Sequence, residues 1–253
     1  MIDSYRKFLD EDKTCLFFLG QAGFLIKNKA GYILSIDPYL SDCVEKLEGN
    51  IGFKRLLPKI VKAGEADWDV IITTHEHYDH YDIDSMPILM SNNDKVKLFA
   101  SFGCKNLVLE QKIDLKRVSF VSPGNTFSVV GFDISFINCD HGDGAPNAVG
   151  VIVKTDDKVI CEVGDTCFRE DYKSEYLSSG KIDILIAPIN GTFGNMNEKE
   201  CAILADILNP HTTIPCHFGM FALHGGKPND FYNIMIDKKQ RFSFMTQGEI
   251  MYL

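Results

Sequence analysis

The segment Thr74–Asp82 constrains the fold and the chemistry of this chain more than any other stretch of its sequence. It reads THEHYDHYD and carries three of the seven histidines. An apolar run, Asp69–Thr73, precedes it and is typical of a buried strand, and residues 83–90, which follow it, predict a helix. Without a metal, so many imidazoles and carboxylates between a strand and a helix would lack partners for their polar atoms. The segment therefore predicts a dinuclear metal site.

The spacing inside this segment divides its ligands between two cations. In extended backbone, side chains two positions apart point the same way, so His75 and His77 can bind one ion. The chain then turns, and Asp79 and His80 can bind a second ion on the other side of the pocket. A lone histidine is usually a surface residue or a satisfied core residue, but a cluster of His and Asp at a strand end indicates a metal or catalytic site. Glu76 alternates away from these ligands, and we expect it to order the loop.

Four further residues that can bind metal follow predicted strands elsewhere in the chain: Asp37, His141, Asp165 and His217. Polar residues are common at strand ends, so each of them alone is a weak signal. Their joint occurrence with the histidine cluster predicts that distant loops converge on one edge of a sandwich of sheets.

Ligand chemistry assigns these side chains to a zinc or manganese pair. Both metals accept imidazole nitrogen and carboxylate oxygen, and a catalytic site keeps a water-filled position. The expected ligands fall into three groups: His75, His77 and His141 on the first ion, Asp79, His80 and His217 on the second, and Asp165 between the two. A water or hydroxide held between two such ions has a lowered pKa and becomes a nucleophile near neutral pH.

Composition limits the classes of protein to which the chain can belong. With 253 residues, 45 % hydrophobic and 24 % charged, it can bury a sizeable core, and the absence of a linker or repeat favours one domain over residues 1–253. A net charge of -9 argues against a nucleic-acid partner but not against a small anionic substrate. The sequence suggests neither a secretory signal nor a membrane span, and its eight scattered cysteines lack a Cys-x-x-Cys pair. We therefore expect reduced thiols, no membrane partner and a cytoplasmic location.

The pattern of apolar runs and turn signals predicts an α/β protein. Strands are predicted over residues 14–19, 22–27, 32–36, 69–73, 96–100, 118–121, 126–130, 132–137, 149–153, 159–163, 182–187 and 212–216. Helices are predicted over 83–90, 197–208 and 228–239. Residues 41–66, which contain the segment 53–61, predict a loop and a short helix that could cover the site.

The order of the candidate ligands resembles that of the metallo-β-lactamase superfamily. Its signature is His-x-His-x-Asp-His followed by a distant His, Asp and His, and this chain fits it at 75–80, His141, Asp165 and His217. The resemblance covers nearly the whole chain. It implies an αββα sandwich, with two mixed sheets flanked by helices, a dinuclear site at one edge and a supporting role for Asp37 behind the ligands.

A narrower resemblance is to the L-ascorbate-6-phosphate lactonase branch of that superfamily. Five segments carry it: Phe18–Gly23, Asp37–Ser41, Ile189–Gly191, Gly194–Asn197 and Pro215–Phe221. The resemblance implies a cytoplasmic enzyme that uses manganese or zinc to open the lactone of a phosphorylated sugar acid. It also suggests a homo-oligomer.

These patterns lead to the hypothesis of a hydrolase that attacks an ester-type carbonyl. Asp79 and Asp165 are its expected catalytic carboxylates, and Asp79 would take up a proton as the intermediate collapses. Arg169 and Lys227 are candidates for binding a substrate phosphate, and His224, in a Gly-rich loop, for a contact at the pocket rim.

Two alternatives stay open at this stage. Within the same fold, a phosphodiesterase acting on a cyclic nucleotide or another small phosphoester would use the same nucleophile. A non-enzymatic scaffold or ligand sensor would also keep the metals, but structural sites are usually saturated with protein ligands and are often rich in thiolates.

Overall fold

The computed structural model describes residues 2–253, which form thirteen β-strands and seven α-helices. The strands are β1 (Cys15–Gly20), β2 (Gly23–Lys27), β3 (Ile33–Ile36), β4 (Val70–Thr73), β5 (Lys97–Ser101), β6 (Val118–Val121), β7 (Thr126–Val129), β8 (Phe132–Asn138), β9 (Val149–Thr155), β10 (Lys158–Glu162), β11 (Ile184–Pro188), β12 (Thr212–Cys216) and β13 (Ile250–Tyr252). The helices are α1 (Asp3–Asp10), α2 (Cys43–Glu48), α3 (Met86–Asn92), α4 (Lys105–Glu110), α5 (Lys173–Tyr176), α6 (Glu198–Leu208) and α7 (Pro228–Asp237).

The strands form two mixed sheets. The first has the order β13-β1-β2-β3-β4-β5-β6, and the second has the order β12-β11-β10-β9-β8-β7. In the first sheet the pairs from β3 to β6 are parallel and the others antiparallel. In the second, β10, β11 and β12 run parallel, and the pairs from β7 to β10 are antiparallel.

Most of these strands are buried on both faces, which explains their continuous apolar runs. Along β4, Val70 and Ile72 point into the core between the sheets, whereas Ile71 points to the outer face. Along β10, Ile160 points between the sheets and Cys161 to the outside. Because side chains alternate between the two faces of a strand, each sheet contributes residues to the core between the sheets and to an outer core on its other face.

Helices cover both outer faces and complete the four layers. Tyr5 of α1, Leu89 of α3 and Val108 of α4 pack in the cluster that covers the first sheet. Leu204 of α6 and Phe231 of α7 pack in the cluster that covers the second. The predicted αββα sandwich is confirmed.

Several helix boundaries differ from the sequence prediction. The short helix predicted within residues 41–66 is α2, which lies near the start of that segment at Cys43–Glu48. Helix α3 begins at Met86 rather than at residue 83, since the Asp82 carboxylate accepts hydrogen bonds from the backbone amides of Asp84 and Ser85 and holds a turn before it. Helices α1, α4 and α5 and strand β13 were not predicted.

The strand directions bring the candidate ligands to one edge of the sandwich. β1, β3 and β4 run the same way in the first sheet, and β8, β10 and β12 do so in the second. Asp37, the histidine segment, His141, Asp165 and His217 all lie just beyond the C-terminal ends of these strands.

Two further observations concern the whole described chain. All eight cysteines are free thiols, six of them buried. None of the helices within residues 2–253 is long and apolar enough to cross a bilayer.

Candidate metal centre

Three imidazoles form the first group of candidate ligands. Nδ1 of His77 lies 2.9 Å from Nε2 of His75 and 3.2 Å from Nε2 of His141. His75 and His141 are buried, while His77 is half-buried at the cavity that is described below. The group combines both sheets, since His75 and His77 follow β4 and His141 follows β8.

A second group lies beside the first and shares Asp165 with it. Ligand atoms of Asp79, His80 and His217 lie within 4.8 Å of one another, as do those of His75, His80 and Asp165. The Asp165 carboxylate is 2.7 Å from His217 Nε2, 3.5 Å from His80 Nε2 and 4.0 Å from His141 Nε2. Asp165 therefore lies between the two groups.

The donor set fits divalent cations. Nitrogen ligands bound tetrahedrally at zinc distances lie about 3.3 Å from one another, which matches the spacing around His77. His80 donates its Nδ1 proton to Asp37 over 2.6 Å, so the buried Nε2 is the ring atom available to a cation. That Nε2 has no hydrogen-bond partner among the described residues. Two nitrogen- and oxygen-binding ions would satisfy these atoms.

Asp37 holds the second group from behind. It is fully buried, and its carboxylate accepts hydrogen bonds from the Thr74 backbone amide at 2.7 Å, the Thr74 hydroxyl at 2.6 Å and His80 at 2.6 Å. Carboxylate partners of this kind fix the tautomer and the orientation of a ligating imidazole. The structure thus gives Asp37 the contacts that a supporting role behind the ligands requires.

Burial and mutual charge set the protonation of the cluster. Burial lowers the pKa of His141 to about 4 and holds the pKa of His75 well below its usual value, so both imidazoles are neutral and can bind a cation. Although burial disfavours the charged forms, Asp165, Asp79 and Asp37 raise the pKa of His80, and His217 and His80 lower that of Asp165. The charge on His80 thus balances the neighbouring carboxylates, as bound cations would.

A further buried carboxyl lies near the centre. Glu162 ends β10, is 2 % exposed, and its Oε2 makes no hydrogen bond within the described chain. Burial, followed by the charge of Asp37, raises the pKa of Glu162 well above its usual value. The side chain is therefore a neutral acid and adds no negative charge to the site.

Two amide side chains that the sequence did not predict orient the ligands. Gln21, just beyond β1, contacts Asp79 Oδ2 at 2.9 Å and His217 Nδ1 at 3.0 Å. Asn195 donates to Asp165 Oδ2 at 2.7 Å and to Asn190 at 3.0 Å. Both residues lie in segments that carry the narrower resemblance, and Gln21 also follows a strand. Their positions in the sequence were therefore the signal that could have marked them as part of the site.

A cavity of about 660 Å³ opens onto the cluster. Five of the candidate ligands contribute to its lining: His77, Asp79, His141, Asp165 and His217. Tyr78 lines it too, as does Glu76, which the sequence predicts to alternate away from the ligands. Glu76 packs so closely against Gly103 that a Cβ at that glycine would lie 2.1 Å from its Oε2.

The three predicted substrate contacts differ in placement. His224 lines the cavity, as expected of a residue at its rim. Arg169 and Lys227 are not among the lining residues, and the predicted phosphate contacts are not supported by their positions. Arg169 is held instead in ion pairs with Asp140 at 2.5 Å and Asp171 at 2.6 Å.

The four-layer sandwich and a His/Asp cluster at its edge define the class of metallohydrolases with a β-lactamase fold. The model of the β-lactamase superfamily domain matches residues 15–217 of this chain. A UPF0173 metal-dependent hydrolase of Pyrococcus abyssi is 30 % identical over 226 residues, which cover 87 % of this chain and 92 % of the relative. The chain belongs to the β-lactamase superfamily and, within it, to the UPF0173 metal-dependent hydrolase family.

Other relatives agree with this assignment. A UPF0173 metal-dependent hydrolase of Thermococcus kodakarensis is 28 % identical over 232 residues, or 88 % of this chain and 92 % of that protein. The isothiocyanate hydrolase from Delia radicum gut bacteria superposes with a TM-score of 0.76 at 18 % identity, over 94 % of this chain and 99 % of that one. Igni18, a metallo hydrolase of Ignicoccus hospitalis, gives a TM-score of 0.72 at 20 % identity, over 95 % of this chain and 98 % of that one. The two structural likenesses concern the fold.

Proposed function

We propose that this metal-dependent hydrolase uses two divalent ions, zinc or manganese, to cleave an ester-type carbonyl bond such as that of a lactone. The ions would be held by His75, His77 and His141 on one side, by Asp79, His80 and His217 on the other, and by Asp165 between them. When bound, such ions supply an activated water and Lewis-acid stabilisation of a developing oxyanion.

The chain's own residues position and protonate the reactants. Gln21 holds Asp79 at 2.9 Å, so that this carboxylate faces the cavity and can accept a proton from the attacking water. Asn195 fixes Asp165 from the opposite side at 2.7 Å. Asp37 accepts the Nδ1 proton of His80 and so keeps the Nε2 atom of that ring directed toward the cluster.

One observation carries the proposal: the cluster opens onto a cavity large enough for a substrate. A structural metal site is closed by its own ligands, whereas here five candidate ligands line a cavity of about 660 Å³. This arrangement supports catalysis over a scaffold or sensor. The phosphorylated lactone implied by the narrower resemblance stays a prediction.

The test is a substrate panel on zinc- and manganese-loaded protein. We expect hydrolysis of γ-lactones and p-nitrophenyl esters, and a loss of at least about a thousandfold in kcat in Asp165→Asn, since the bridging position loses its charge. The matched control is Asp133→Asn, an exposed carboxylate in β8 that contacts only Ser128 among the described hydrogen bonds.

Two results would contradict this function. One is turnover of bis(p-nitrophenyl) phosphate or a cyclic nucleotide without any cleavage of lactones or esters. The other is an Asp165→Asn protein that keeps the wild-type rate.

A further inference from the structure

We propose that the cavity binds an uncharged, apolar part of the substrate on a wall of four rings, and that the substrate is therefore an alkyl- or aryl-substituted ester or lactone. The aromatic wall consists of Phe53, Phe193, Phe221 and His224. This inference rests on the proposed hydrolysis at the adjoining metal centre and names the substrate class for it.

The rings of the aromatic wall pack around Phe53. Its centroid lies 5.7 Å from that of Phe193, 5.3 Å from Phe221 and 4.7 Å from His224. The Nε2 proton of His224 is donated to the carbonyl of Ile51 over 2.9 Å, which ties the Gly-rich loop to the segment after α2. The wall is thus a fixed surface contributed by three separate loops.

Exposed apolar side chains occur in the aromatic wall and next to it: Phe193 and Ile51 line the cavity, and Leu223 precedes His224 in the chain. Phe193 is 58 % exposed, Ile51 60 % and Leu223 59 %. Phe193 also has a φ of 54°, a conformation that is uncommon for a bulky residue and that collects at functional sites. Apolar side chains left in water around a catalytic cavity indicate a ligand that covers them.

The charges of the cavity do not suit a phosphate. Its lining contains the carboxylates of Glu48, Glu76 and Asp79 in addition to Asp165, and none of the described lining residues is Lys or Arg. Arg55, near α2, donates to the backbone carbonyls of Ser41 and Leu57. A phosphate group outside the metal centre would therefore meet carboxylates and rings, whereas an alkyl or aryl group would meet complementary surface.

The probes are cyclopentanone and 2-hexylcyclopentanone, ring ketones that cannot be hydrolysed, titrated calorimetrically into the metal-loaded full-length chain. We expect the hexyl ketone to bind at least about a hundredfold more tightly, because each methylene removed from water strengthens binding by up to about fourfold. In Phe193→Ala, and in Phe53→Ala, this preference should fall by about tenfold. Leu115→Ala, which removes a 51 % exposed leucine outside the cavity lining, should leave it unchanged.

Kinetics give a second readout on the same wall. The Phe193→Ala change should raise the KM for γ-decalactone about tenfold more than it raises the KM for γ-butyrolactone. For the wild-type protein, L-ascorbate 6-phosphate should be a poorer substrate than γ-decalactone.

Equal dissociation constants for the two ketones, or a preference that survives both phenylalanine changes, would overturn the inference. Ketone binding that disappears as protein concentration rises would do so too, because a second copy would then cover the wall. The ketone titration does not depend on turnover. Failure of all lactones beside a retained hexyl preference would therefore overturn only the proposed function, and the reverse pattern would overturn only this inference.

Discussion

At the scale of single residues, the metal centre depends on side chains that do not themselves bind metal. Asp37 is the clearest case, because one buried carboxylate accepts three hydrogen bonds and so joins β3, the start of the histidine segment and His80. It also adopts a φ of 45°, which an aspartate tolerates better than most residues.

Asp37→Ala should lower both stability and metal affinity. The change leaves the Thr74 amide and His80 Nδ1 buried without their acceptor, so we expect a loss of about 2–4 kcal/mol in the free energy of unfolding. Metal affinity should fall about tenfold to a hundredfold, because His80 loses the group that fixes its tautomer. Chemical denaturation and a competitive chelator titration measure the two effects.

Asp133→Ala serves as the matched control, since this aspartate is exposed and bonds only the Ser128 hydroxyl among the described contacts. An Asp37→Ala protein with the stability and zinc affinity of that control would contradict the role assigned to Asp37.

The seven candidate metal ligands could be predicted residue by residue, and the resemblance implied Asp37 behind them, whereas the two amide partners could not be predicted. Histidine and aspartate at strand ends carry a chemical signal of their own, but Gln21 and Asn195 are neutral amides whose role arises only when the fold brings them to Asp79 and Asp165. Sequence likewise does not show that Asp140 and Asp171 form ion pairs with Arg169, the predicted phosphate contact.

At the scale of elements, the segment after β12 links the metal centre to the substrate cavity. His217 follows that strand directly with a φ of 60°, and its carbonyl accepts a hydrogen bond from the Gly226 amide at 2.9 Å. Gly226 in turn lies against the end of β11, where a Cβ would stand 2.5 Å from the carbonyl oxygen of Ile189. Backbone on both sides therefore fixes the path of this loop.

Gly226→Ala should displace the loop and with it His217. Because the added methyl group meets backbone atoms that cannot move aside, we expect a destabilisation of about 1–3 kcal/mol. The kcat/KM for the best lactone of the panel should fall by about tenfold to a hundredfold, since His217 shifts with the loop. Thermal unfolding and steady-state kinetics measure both effects.

A glycine without neighbours provides the comparison. A Cβ at Gly64 would meet nothing within 4 Å, so Gly64→Ala should stay within about 0.5 kcal/mol of wild type and keep full activity. If Gly226→Ala behaved like Gly64→Ala, the loop would not position His217.

Strands were easier to predict than helices in this chain. Twelve of the strands could be predicted, and most of them are apolar on both faces, as in Val70–Thr73, which faces α-helices on one side and the other sheet on the opposite side. β7 and β8 instead alternate between apolar residues and more exposed polar ones. Short helices lack such a pattern. α2 and α4 have six residues each and depend on packing against the sheets and loops rather than on their own periodicity.

At the scale of the whole molecule, the metal centre belongs to neither half of the sandwich alone. The first sheet contributes His75, His77, Asp79 and His80, and the second contributes His141, Asp165 and His217. Metal ions bound there would connect the two sheets at their common edge. The placement of the candidate ligands after predicted strands predicted this convergence, and the strand directions explain it, because the contributing strands of both sheets end at that edge.

Elemental analysis of the freshly purified chain tests the central claim most directly. The arrangement of ligands predicts about two zinc or manganese ions per chain, released together by a strong chelator and restored on adding the metal. A correctly folded protein, judged by circular dichroism, that contains far less than one ion per chain and takes up none from added zinc or manganese would contradict it.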